Sequence, residues 1–374
     1  MNHDEYRAAI LDVAYLAACA VNGTVPDAER VRQMDLDTLY QAADRHLLTG
    51  ITAMALESAG VKDAAFTQAK GKAIRKVAAF DVERAAVLAK LEEAGIWYMP
   101  LKGSIMKDLY PRLGMRQMAD NDILYDASRT ADVRAIMENL GFSTDENFGR
   151  GVHDHYNKPP VCNFEMHHAL FAAPSETEIV EYYRNVKSRL IQNEGSTYGY
   201  HFSDEDFYVY VLVHEYKHYT GGGTGLRSVL DTYVYLKKKG DALDWSYIDG
   251  ELVKVGVSDF EVKNRSLAMH LFSNEELTIQ DQTMLEYILS SGTYGTVQNS
   301  VRNQMDKYGG GFPGKMKYVF HRLFLPMDVV RAVFPTFAKH PILLPFLPFY
   351  RVFSGLIKRR DKVMTELKTL RKSK

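Results

Sequence analysis

Strand-like sequence is confined to one window of this 374-residue chain, and that confinement decides which class of fold is open to it. Residues 4–95 carry apolar side chains at spacings of three and four, as in YRAAILDVAYLAACAV and LDTLYQAADRHLLTGITAMALESAG. That is the pattern of helices with one buried face. Gly23, Gly60 and Gly95 stand where helices are expected to stop. At IWYMPLKGS the texture changes to a short apolar, aromatic run entering a turn at Lys102-Gly103-Ser104, which reads as a strand. IMKDLY reads as a short helix, NDILYD as a second strand, ASRTADVRAIMENLG as a helix ending at Gly141, and VCNFEMHHALF as a further strand. From residue 176 helical texture returns in DEDFYVYVLVHEYKHYT, which Gly221-Gly222-Gly223 breaks. GLRSVLDTYVYLKKKG, stopping at Gly240, TMLEYILSSG and PGKMKYVFHRLF continue it. The expected class is α+β. A small mixed-sheet core at 96–175 lies between a helical region at 1–95 and a helical domain with a basic tail at 176–374.

The balance of 46% hydrophobic and 25% charged residues is ordinary for a soluble chain, and a formal net charge of −1 gives no bulk nucleic-acid signal. Two cysteines, Cys19 and Cys162, make no disulfide framework and suit a reducing compartment. The first residues hold Asp4 and Glu5 and no basic cluster, so they are expected to form an amphipathic helix rather than a leader. No apolar run reaches spanning length, and a cytoplasmic location is the expectation.

The stretch with most chemistry is LKGSIMKDLYPRLGMRQMADNDILYD, residues 101–126. Asp120 and Asp122 are two apart, so on a strand both point to one face. Paired carboxylates repel unless something positive lies between them, and a divalent cation answers that economically. Oxygen ligands suit Mg²⁺, with Mn²⁺ as the alternative. Glu165 in NFEMHHAL supplies a third carboxylate, and His167 shares its face. Lys102 and Arg116 are cations for a polyphosphate, Gly103 permits close backbone approach, and Ser104 adds a hydroxyl. A lone D-x-D is also common as a turn feature, and Asp126 reads as a cap for the following helix, alone or with Ser128.

LKG, a following LYP, an arginine and a D-x-D strand together resemble the bacterial uncharacterised nucleotidyltransferase family of the polymerase-beta-like nucleotidyltransferase superfamily. The resemblance implies Lys102 and Gly103 as the K-G pair, Tyr110 and Pro111 as Y-P, and Arg116 as the family arginine. It implies Asp120 and Asp122 as metal carboxylates, with Glu165 and His167 as the acid-x-histidine strand. VLVHEYKHY and GLRSVLDTYVYL look like the family's H-x-x-x-H and G-x-R-x-x-x-D helices, and RLFLP and FLPFYR also match, so the likeness runs loosely over 35–355. The chain departs from the pattern at ADND. Ala119 stands where a serine or similar small residue is usual, and Asn121 stands where a core residue is expected.

Two histidine clusters admit other readings. His153 and His155 in HDHYNKPP share one face if extended, as a metal pair or as a polar strand end. Lys158 there is a candidate for the triphosphate, and Tyr156 or His155 for stacking on a base. HEYKH, at 214–218, spells the zinc-protease pattern. A zincin needs a third ligand, yet position 224 is Thr224, and the following interval offers Asp241 and Asp244 but no glutamate before Glu251. The preferred reading puts His214 and His218 on one helix face and Arg227 and Asp231 on one face of the next. That polar cluster either closes over the nucleotide or acceptor, or bridges the helices. Glu215 falls off this face and is read as surface.

The end of the chain mixes aromatics, spaced prolines and the basic IKRRDKVMTELKTLRKSK. The favoured reading is a solvated last helix, with the apolar part packed on the helical domain. The less favoured one is peripheral contact with an anionic membrane. The functional expectation is metal-dependent transfer of a nucleoside monophosphate from an NTP, ATP among them, to an unidentified hydroxyl or phosphate acceptor, a nucleic-acid end not excluded. A catalytically silent scaffold, for which ADND speaks, and the zinc protease are the alternatives.

Overall fold

The computed structural model describes residues 2–144, 148–149, 151–172 and 175–372. The chain divides into two compact units, Met1–Glu215 with Gly225–Leu289, and Tyr216–Thr224 with Ser290–Lys374.

The first unit opens with helices α1 (His3–Asn22), α2 (Ala28–Arg32), α3 (Leu36–Arg45), α4 (Thr49–Ser58) and α5 (Ala64–Glu93). A reciprocal capping box between Asn2 and Glu5 starts α1, and Gly23, at φ 70°, ends it. Five strands follow: β1 (Tyr98–Pro100), β2 (Asn121–Tyr125), β3 (Ser143–Thr144), β4 (His153–Lys158) and β5 (Cys162–His167). They form one sheet in the order β1-β2-β5-β4-β3, parallel only between β2 and β5. Two helices interrupt them, α6 (Gly103–Met106) and α7 (Thr130–Asn139). Asp126 caps the 3₁₀ turn that leads into α7, as its sequence context implied.

One sheet face is apolar. Ile123, Tyr125, Tyr156, Phe164 and Met166 pack there on Phe80, Val87 and Leu91 of α5 and on Val133 and Met137 of α7. Strand alternation therefore turns Asp122, Glu165 and His167 to the other face. Beyond the sheet lie α8 (Thr177–Tyr183) and a pair of two-residue strands, β6 (Ile191–Gln192) and β7 (Tyr200–His201). These two strands fall outside the window expected to hold all strand structure, because two residues are too short to show any period. Helices α9 (Asp204–Gly221), α10 (Leu226–Lys239), α11 (Trp245–Lys254), α12 (Ser258–Ser273) and α13 (Ile279–Ser291) follow. The α+β class with flanking helices is thus the one observed.

The second unit contains α14 (Val297–Lys307), α15 (Gly311–Leu323), α16 (Met327–Val333), α17 (Pro335–Lys339), α18 (Leu347–Lys358) and α19 (Arg360–Lys372). Its small core joins Val301, Met305, Tyr318 and Leu370, and Glu366 takes both Tyr318 Oη (2.5 Å) and Arg322 Nε (2.8 Å). The apolar residues of this region do not pack away as expected. Prolines at 335, 341, 345 and 348 cut it into short helices, and Ile342, Phe346, Phe349 and Phe353 are left exposed. No helix among the described residues is long and apolar enough to cross a membrane.

Candidate active site

Register builds the site. Asp122 of β2 pairs with Glu165 of β5 along the parallel ladder, and Glu165 and His167 pair with His155 and His153 of β4 along the antiparallel one. The five side chains share the sheet face opposite the apolar core. Asn121, on the core side, is buried and satisfied: Arg84 Nη1 of α5 donates to its Oδ1 at 2.9 Å, and its Nδ2 donates to the Phe80 carbonyl at 3.4 Å. The departure at ADND therefore has a dedicated partner on α5.

Lys102 projects from the turn after β1 at φ 46°, ψ −115°, a backbone that glycine ordinarily supplies. Ser104 N–H closes the turn on the Leu101 carbonyl at 3.3 Å. Lys102 Nζ lies 2.6 Å from Asp122 Oδ1, and His167 Nε2 lies 2.9 Å from the same oxygen. Burial pushes the Asp122 carboxyl up, but the Lys102 charge and the His167 hydrogen bond hold it well below the usual range. Lys102 is the converse: burial pulls it down, while Asp122, Tyr210 and Glu165 carry it above its ordinary value. Asp120, just before β2, is pushed up to about 6 by burial and by the charges of Asp122 and Glu165. At Glu165 burial acts upward, yet the His167 hydrogen bond and the His153 charge leave it lowered. Burial and neighbouring His167 bring His153 down to about 4.

The donor set suits a divalent cation. One ligand atom each from His153, Glu165 and His167 lies within 4.8 Å of the others. The Nδ1 atoms of His153 and His167 are buried with no hydrogen-bond partner among the described residues. Imidazole nitrogens thus accompany the oxygen ligands expected from sequence, a mixture that Mn²⁺ and its neighbours accept readily.

Other expected site residues have other neighbours. Ser104 is buried, with Oγ donating to the Leu101 carbonyl at 2.7 Å. A Cβ on Gly103 would lie 2.5 Å from Arg116 Nη1, so glycine there makes room for the guanidinium. Arg116 is buried and donates from Nε and Nη2 to the two oxygens of Asp231, both at 2.8 Å. Tyr110 Oη donates to Asp231 at 2.7 Å. Arg227 donates to the Gln117 carbonyl at 3.1 Å, and its charge opposes the upward shift of Asp120. Of the α10 pair, Asp231 is thus tied to the segment before β2 through Arg116, and Arg227 to the same segment through the Gln117 carbonyl. Lys158 lies on the core side of β4, paired with Glu83 of α5 at 2.7 Å, and Tyr156 is fully buried there.

HEYKH occupies the end of α9. Glu215 is buried, contrary to the surface position expected of it, and Asn264 Nδ2 donates to it at 3.2 Å. Burial, then the Asp231 charge, pushes its carboxyl well above the ordinary range. A glutamate enclosed in this way does not face water as a zincin base must. His214 lies in the first unit, its ring 6.4 Å from that of Tyr210. His218 lies in the second, where it lines a cavity of about 590 Å³ with Gly221–Gly223, Thr296 and Ser300. Tyr210 escaped the sequence reading. It is buried on α9, where burial and the negative charges of Asp122 and Glu165 push its phenol up against the opposing Lys102. The one available signal was its four-residue spacing from His214.

A family model described as uncharacterised nucleotidyltransferase matches residues 32–273, which take in the whole five-stranded sheet and α3 to α12. The chain belongs to the uncharacterised nucleotidyltransferase family. No curated protein and no solved structure matches it significantly.

Proposed function

We propose that the chain moves a nucleoside monophosphate group from an NTP to a hydroxyl or phosphate acceptor, with release of pyrophosphate. The observation that carries this reading is the in-register pairing of Asp122 with Glu165, on a face that also holds Asp120 and Lys102. Asp120, Asp122 and Glu165, with His153 and His167 beside them, are the residues that would hold Mg²⁺ or Mn²⁺. Bound there, a divalent ion would neutralise phosphate charge and lower the pKa of the attacking group. Lys102 carries a second positive charge to the phosphates, and the Leu101–Ser104 turn holds it in place. Glu165, half-buried beside the exposed His155, borders the acceptor side. Arg116 acts as a positioning residue, fixing the K-G turn to α10 through Asp231. A cytoplasmic location, where NTPs are abundant, belongs to the same reading.

The test incubates the protein with each α-labelled NTP, Mg²⁺ or Mn²⁺, and a lysate of its host. Label transfer and pyrophosphate release are expected from the wild type. Asp122→Asn and Glu165→Gln should lose about a hundredfold or more with unchanged circular dichroism. Wild-type protein that binds no NTP and labels no host fraction would overturn the reading in favour of a silent scaffold.

A further inference from the structure

We infer that residues 311–360 of the second unit form an interfacial surface that seats the protein on an anionic lipid bilayer. Phe312, Met316, Phe320 and Phe324 recur every four residues along α15 and its C-cap, and each is at least half exposed. Phe346, Phe349, Phe353 and Ile357 form a second stripe along α18, exposed by 62–81%. Both helices already have an inward face, because Tyr318 of α15 and Leu347 of α18 are buried. The outward stripes are surplus to packing within the unit. An apolar surface of this extent, set among charges, marks an interaction site.

Charge selects the occupant. Residues 311–360 contain nine Lys and Arg, of which Arg322 is paired with Glu366, against one acid, Asp328, in a chain whose net charge is −1. A second copy would bring the same positive charge to the same face, so self-association there is opposed. Anionic headgroups complement it, and acyl chains accept aromatic stripes that offer few hydrogen bonds. The exposed Arg359 and Arg360 stand just beyond α18, where they can reach headgroups while Phe349 and Phe353 enter the acyl boundary. α15 and α18, of 13 and 12 residues, are too short to span and must lie in the plane. This stretch lies outside the matched residues 32–273, so the inference does not rest on the family.

The test is co-sedimentation of the full chain with vesicles of phosphatidylcholine alone or with about 30 mol% phosphatidylglycerol. Binding to anionic vesicles should exceed binding to neutral ones by about tenfold, and most of it should be lost near about 0.5 M NaCl. Phe349→Asp with Phe353→Asp, at exposed positions, should reduce binding by about tenfold or more. Should that variant fail to fold, Arg359→Ser with Arg360→Ser should cost about tenfold on anionic vesicles only. A separate Phe353→Trp variant should shift its emission to the blue on adding anionic vesicles. No sedimentation with either vesicle, or equal binding by the variants, would overturn the inference. So would a lipid-free oligomer that the Phe349→Asp, Phe353→Asp variant dissolves.

Discussion

Arg116 and Asp231 lie 115 residues apart in sequence and close a two-point ion pair in the interior of the first unit. The pair ties the segment between β1 and β2 to α10, and Tyr110 adds its hydroxyl to the same carboxylate. Two charges removed from water gain little by themselves, but either one left alone is costly.

Asp231→Ala should therefore destabilise the protein by about 3–5 kcal/mol, because Arg116 stays buried without its counter-charge. Replacing both partners, as Arg116→Met with Asp231→Leu, should recover most of that loss. Urea unfolding followed by circular dichroism measures both, and an additive double variant would mean that the pair is not coupled.

Gly103→Ala tests why the K-G turn needs its glycine. The added methyl would lie 2.5 Å from a guanidinium that Asp231 holds at two points. A loss of about 1–3 kcal/mol is expected from overpacking. Thermal melting should show it in the absence of any nucleotide, which separates a packing role from phosphate contact.

At Lys102 the usual order of two substitutions should invert. With φ at 46°, Lys102→Gly relieves a strained backbone that Lys102→Ala retains. The glycine variant should be the more stable of the two by about 1 kcal/mol. Both should lose NTP binding alike, since neither carries the ammonium. Melting curves and binding isotherms on the pair separate backbone from charge.

Glu215 sets a pH dependence. Burial, then the Asp231 charge, raises its carboxyl in the folded state. A raised folded value means that its stabilising contribution is complete below the unfolded value of about 4.3 and is lost as pH rises through the folded one. Glu215→Gln cannot ionise and keeps a partner for Asn264. Its melting temperature should gain on the wild type as pH rises from acid to neutral and alkaline. Label transfer should be retained, whereas a zincin would lose its general base.

Much of the candidate site could be read from local spacing. Asp120, Asp122 and Glu165 were legible because strand parity is a two-residue rule, and Lys102 because its turn adjoins a recognisable strand. The destination of Arg116 was not legible, since its partner stands on a helix 115 residues later. Lys158 looked like a phosphate ligand from its place in HDHYNKPP, yet parity with the buried Tyr156 turns it to the core side. Glu215 looked exposed because it falls off the face of His214 and His218, whereas α9 is buried on more than one side, with Tyr208, Val209, Tyr210, Leu212 and Val213 all enclosed. The C-terminal aromatics were visible in sequence, but their exposure depends on which inward face each short helix uses.

The contact between Lys102 and Asp122 makes the site a place of exchange. A tethered ammonium holds the carboxylate at 2.6 Å and acts as a permanent competitor at high effective concentration. Divalent ions alone should bind weakly there. On the proposed reading, an ion arriving with a triphosphate would give Lys102 somewhere else to go, so the two ligands should each raise the other's affinity. On the same reading, the Asp122 carboxylate keeps its partner at rest and would be committed only when nucleotide and ion come together.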